Sequence, residues 1–172
     1  SLLLEPTATN LITYSEDLSQ WSNAGTGLSI TGGQSSPDGG NNAYLVDFGS
    51  TDTDKRIFPS TFLFENGVEY TFSMYAKSLQ GNDLTIYTGG TSGTNTYVAT
   101  NLSATDWQRI EWTFVGNGST FSIQVGTQLI GTNVTYGQFV YFGAQVEANS
   151  YATSYIKTVG TAQSRSADTA NG

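Results

Sequence analysis

Residues 139–147, FVYFGAQVE, carry the side chains of the chain that most suggest chemistry. Read with the two-residue period of a strand, Phe139, Tyr141, Gly143, Gln145 and Glu147 share one face, and Val140, Phe142, Ala144 and Val146 share the other. A ring, a gap, an amide and a carboxylate in one row could serve a saccharide. A pyranose offers an apolar C–H face to an aromatic ring and an equator of hydroxyls to hydrogen-bonding groups. Outward positions on other strands extend the set: Tyr75 and Lys77 from 69–77, Tyr87 from 84–87, Arg109 from 107–115 and Gln124 from 120–125. If these strands meet on one hollow sheet, the rings stack on sugars while Lys77, Arg109, Gln145 and Glu147 bond hydroxyls. The plainer alternative is an ordinary half-exposed strand, with Lys77 and Glu147 pairing with each other.

Other chemistries are poorly served. With no Cys and no His, disulfides, thiolate metal sites, thiol nucleophiles and imidazole bases or ligands are excluded. Glu111 with Glu147, or Tyr141 with Arg109, could be offered as a glycosidase or lyase pair, but neither has a recognisable catalytic spacing and the reading is non-catalytic. No cofactor is required. Hard oxygen ligands for a structural calcium ion exist in Glu16, Asp17, Asp47, Asp52 and Asp54, without the spacing of a twelve-residue calcium loop. Solvated loop carboxylates are expected everywhere except at Glu16 and Asp17.

Strands must position these groups. Residues 69–77 alternate cleanly, Tyr70, Phe72, Met74 and Ala76 against Thr71, Ser73, Tyr75 and Lys77, and 107–115 does the same with Ile110, Trp112 and Phe114 inward. Leu84 and Ile86 face in from 84–87, and Phe121, Ile123 and Val125 from 120–125. Residues 43–48 are apolar on both faces and belong inside a sheet. Ser36-Pro37-Asp38-Gly39 is a turn signature. Ser15, Glu16 and Asp17 can start one short helical turn that ends near Trp21, itself read as a core plug. About ten short strands separated by turns, with no long amphipathic helix, make an all-β, two-sheet antiparallel sandwich the most economical architecture.

The chain has 172 residues, enough for one well-filled core. The sandwich is expected over 1–157, with 1–9 as a lead-in and 158–172 as a tail or linker. Fourteen acidic residues against six basic ones leave a formal charge of −8, which opposes nucleic acid and anionic bilayers as partners. No apolar run reaches membrane-spanning length, and the first residues lack the charged region of a signal peptide. Starting without Met, the sequence reads as a piece of a larger chain or a processed product. Twenty glycines, abundant Ser, Thr and Asn, and few charges suit an extracellular or particle-surface protein.

Two segments carry a resemblance. Leu3-Leu4-Glu5-Pro6, Thr9-Asn10-Leu11 and the stretch from Tyr14 through Trp21 look like the opening of jelly-roll modules of bacteriophage tail-fibre and virion proteins. Gly143-Ala144-Gln145-Val146-Glu147, Ala152-Thr153-Ser154-Tyr155-Ile156 and Arg165-Ser166-Ala167-Asp168 look like their closing signature, although Lys157 stands where Pro is usual. These modules are similar to CenC-like carbohydrate-binding modules. The resemblance implies a jelly roll binding glycans on a concave sheet, often with calcium near the chain start. It also implies a virion-surface setting, a bacterial envelope polysaccharide as partner and sister domains of the same phage protein as neighbours. A spacer or homo-oligomer-forming domain is the alternative, with Phe62, Phe64 and Phe139 as exposed interface aromatics.

Overall fold

β-Branched and aromatic residues recurring every second position form strands here, because each buries one side of a pleat while glycine-rich turns reverse the chain. The computed structural model describes residues 4–49, 55–89, 95–126 and 135–169. Asp52 and Asp54, and Leu3 of the opening motif, lie outside them. In chain order the strands are β1 (Ala8–Asn10), β2 (Ser22–Ala24), β3 (Ser29–Gln34), β4 (Ala43–Asp47), β5 (Arg56–Phe58), β6 (Phe62–Phe64) and β7 (Glu69–Ser78). Then follow β8 (Leu84–Thr88), β9 (Thr96–Ala99), β10 (Gln108–Val115), β11 (Ser119–Phe121), β12 (Ile123–Gly126), β13 (Gln138–Glu147) and β14 (Gln163–Arg165).

Two five-stranded antiparallel sheets, ordered β10-β7-β13-β4-β3 and β2-β5-β12-β8-β9, make the sandwich. One core joins them: Val46, Phe72, Met74, Ile110, Phe139 and Tyr141 from the first meet Ile57, Leu84, Ile86, Ile123 and Val125 from the second. β6 pairs with β11 at one end, where Phe64 and Phe121 stack at 4.3 Å. Phe64 and Phe139 are therefore core residues, and Phe62 is partly buried against the same core, its ring edge-on to Phe64. The apolar interface expected from exposure of these three is not present.

The short helical turn is a 3-10 turn, Leu18–Gln20, capped by Asp17. Trp21 is buried, and its indole N–H donates to the Tyr14 carbonyl. The Ser36 turn closes with Gly39 N–H donating to the Ser36 carbonyl. Beyond 157 the chain lies on the fold: β14 pairs with β1, and Arg165 meets Glu5 at 2.6 Å.

β13 departs from simple alternation. Its pairing with β7 slips between Phe142 and Gln145, at a bulge where Gly143 has φ +64°. An extra residue in one strand reverses the facing of everything beyond it. Phe139 and Tyr141 point into the core and Val140 and Phe142 out, whereas Ala144 and Val146 point in and Gln145 and Glu147 out.

Candidate functional site

The outer face of the β10-β7-β13-β4-β3 sheet holds Tyr75, Lys77 and Arg109 together. Arg109 stands opposite Tyr75, which stands opposite Phe142, while Lys77 and Leu45 flank Val140. Trp107 completes the group: Lys77 Nζ sits 4.7 Å above its ring, and Arg109 Cζ sits 5.6 Å above the Tyr75 ring. Arg109 also donates to Ser73 Oγ at 3.0 Å. These rings already stack on cations, so a sugar would compete with an existing cation–π contact.

Gln145 and Glu147 share that face, yet both are 0% exposed. Gln145 accepts from the Ile156 N–H at 2.7 Å, and Glu147 accepts from the Thr153 N–H and hydroxyl. They clamp the segment after β13 onto the sheet and do not face a ligand. Nor does Glu147 pair with Lys77. Tyr141 is corrected too: the bulge turns it into the core, 0% exposed, where burial raises its phenol pKa and no described residue takes its hydroxyl. Neither catalytic pair is assembled, since Glu147 is sealed beneath Thr153 and Tyr141 is internal.

Tyr87 and Gln124 lie on the opposite wall, directly paired on the outer face of the β2-β5-β12-β8-β9 sheet. Ile57 opposite Val125 is a core pair, so Arg56 and Phe58 alternate outward and Phe58 comes beside Gln124. Phe58, Gln124 and Tyr87 thus form one row across β5, β12 and β8. Tyr87, 3% exposed, forms its floor, while Phe58, Gln124 and Arg56 are half-buried. The alternation Arg56-Ile57-Phe58 was the sequence signal for Arg56 and Phe58.

A third feature lies at the β3–β4 edge: a pocket of about 230 Å³ bordered by Tyr14, Glu16, Asp17, Asn42, Tyr44 and Lys157. Glu16 accepts from Lys157 Nζ at 2.6 Å, Asn42 Nδ2 at 2.7 Å and the Tyr155 hydroxyl at 3.1 Å. Asp17 Oδ1 accepts from the Ser19 hydroxyl and N–H and from the Tyr44 hydroxyl, and these bonds, the Ser19 hydroxyl foremost, lower its pKa. Asp47 is likewise taken up, by Gly49 and Gln138. Calcium wants roughly six to eight oxygens. Two carboxylates with an ammonium on one of them do not fit that shell, and no group of three or more potential metal-ligating residues occurs among the described residues.

The two-sheet antiparallel sandwich is the fold also found in β-sandwich carbohydrate-binding modules. The chain belongs to the carbohydrate binding domain family, which it matches over residues 10–133. No curated protein matches it. The fold is shared with the Clostridium thermocellum xylanase 10B CBM22-1–GH10 modules complexed with xylohexaose, at 14% identity and TM-score 0.60 over 89% of this chain and 30% of that one. It is also shared with the CBM22-1 xylan-binding domain of Paenibacillus barcinonensis Xyn10C, at 12% identity and TM-score 0.55 over 84% and 94%. The enzymatically active domain of bacteriophage CBA120 tailspike protein 4 is similar at 11% identity and TM-score 0.54 over 79% and 21%. This chain therefore spans under a third of the xylanase and about a fifth of the tailspike chain.

Proposed function

We propose that this domain is a non-catalytic module that holds an extended glycan across the outer face of the β2-β5-β12-β8-β9 sheet. The row of Phe58 and Gln124, floored by the buried Tyr87 and with Arg56 beside it, carries the reading: a half-buried ring stands next to an amide, and a guanidinium can fork onto adjacent hydroxyls. Family membership supports the ligand class, and two structural neighbours are described as complexed with xylohexaose or as xylan-binding. The setting we favour is a phage fibre or spike that docks on a bacterial surface polysaccharide outside the cell. The opening and closing motifs and the likeness to a tailspike domain support it.

The test is titration with a panel of bacterial surface polysaccharides and xylo-oligosaccharides. Phe58→Ala and Gln124→Ala should each weaken binding by about tenfold or more, the effect of a lost stacking or hydrogen-bonding contact, with the circular dichroism spectrum unchanged. Tyr75→Ala and Trp107→Ala should bind normally. Loss of affinity in the second pair alone would move the glycan to the opposite face.

A further inference from the structure

We infer that the pocket at the β3–β4 edge binds a single sugar unit bearing a free ammonium group, an amino-sugar residue of a glycan. The inference rests on the domain's belonging to a carbohydrate-binding family and not on the sheet-face placement above.

Shape sets the size of the ligand. At about 230 Å³ the pocket falls below the roughly 300–1,000 Å³ of typical small-molecule sites, and suits one ring more than a stretch of chain. Gly33 lies on its border, and even an added Cβ there would meet nothing within 4 Å, so that side is open. Tyr14 and Tyr44, both half-buried, supply aromatic surface, and Asn41 and Asn42 supply amides for hydroxyls.

Charge sets its chemistry. Glu16 is matched by Lys157 at 2.6 Å. Asp17 has no lysine or arginine in ion-pair contact among the described residues, and its bonds from Ser19 and Tyr44 favour the ionised form. One uncompensated carboxylate thus stands beside two tyrosine rings. An ammonium gains from both, through a charge-assisted hydrogen bond and through the ring faces. A neutral sugar or an N-acetylated one can still stack on a ring and donate a hydrogen bond to the carboxylate, but it forms neither the ion pair nor the cation–π contact.

The probe is methyl β-D-glucosaminide, titrated into the isotopically labelled protein and followed by amide chemical shifts, with the glucoside and the N-acetylglucosaminide as comparators. Saturable shifts at Glu16, Asp17, Asn42 and Tyr44 are expected, with about tenfold weaker binding of both comparators, the size of one charge-assisted bond. Asp17→Asn should remove that preference. Because Asp17 also caps the 3-10 turn, Val159→Trp provides a second variant: Val159 borders the pocket and is 73% exposed, so the indole can fill the pocket while leaving the core alone, and binding should be lost. Gln124→Ala should leave this titration unchanged even where it abolishes polysaccharide binding. Equal affinity for the three glycosides, shifts confined to β5, β8 and β12, or the same pocket shifts saturated by calcium chloride in place of the amino sugar would each overturn the inference.

Discussion

Tyr155 lies against Gly143 so closely that a Cβ on the glycine would stand 3.3 Å from Tyr155 Cε2 and 3.4 Å from Tyr75 Cδ2. The contact exists because the glycine sits in the left-handed region, at the bulge that reverses β13. Gly143→Ala therefore meets both a strained φ and two rings that must give way. The conformational part alone costs about 1–2 kcal/mol, so the melting temperature should drop, while any glycan affinity of the kind proposed for the opposite sheet should be kept by the folded variant. A melt indistinguishable from wild type would show that the bulge tolerates a side chain.

Asn10 ties the chain's start to this same region. Its amide donates to the carbonyls of Ala144 at 3.1 Å and Ile156 at 2.9 Å, and its oxygen accepts from the N–H groups of Ile12 and Val146, both at 3.1 Å. All four partners are backbone groups, and the side chain is fully buried. Asn10→Ala strands them without replacement and should cost about 2–4 kcal/mol, measured by urea unfolding. Asn10→Asp, similar in shape, should not restore stability near neutrality, because it turns a carboxylate oxygen onto two carbonyls.

Tyr141→Phe predicts the opposite sign. The phenol is buried with no described partner for its hydroxyl, an arrangement that costs about 1–3 kcal/mol relative to a satisfied one. Removing the oxygen should leave stability unchanged or raise it, and polysaccharide affinity should not move. A clear loss of stability would reveal a hydrogen bond to that hydroxyl.

Local patterning read most strands correctly but said little about their neighbours. The alternations in β7 and β10 place Phe72, Met74, Ile110 and Phe114 inward as expected, because each strand is regular and buries one side. In β13 the same period failed at Gly143. An isolated glycine within a strand is a bulge signal, and counting straight through it put Tyr141 on the wrong face. The site was harder to read. Outward facing could be assigned for Tyr75 and for Tyr87, but only long-range pairing decides that β7 and β8 belong to different sheets. Gln145 and Glu147 lie on the face that alternation assigns them; their burial comes from Thr153 and Ile156, whose docking no local pattern announces.

Asp17 gives a pH signature with a definite direction. Its folded pKa lies below the ordinary 3.8, chiefly through the Ser19 hydroxyl and next the Tyr44 hydroxyl. A carboxylate with a lowered folded pKa stabilises the fold above its unfolded value, and that contribution fades as acid takes the pH down through the folded value. The difference in melting temperature between wild type and Asp17→Asn should be widest above pH 3.8 and shrink below it. A difference that stays constant through acid titration would mean that the carboxylate's bonds contribute nothing to folding.

The pairing of β1 with β14 has a mechanical consequence. Ala8 faces Arg165 and Asn10 faces Gln163, so the polypeptide comes in and goes out at the same end of this short ladder. Tension applied through both flanking segments would peel its rungs one after another, as in a zipper, instead of shearing them together. This clasp should yield at low force, while the sandwich it closes stays whole and hangs to one side of the line of pull.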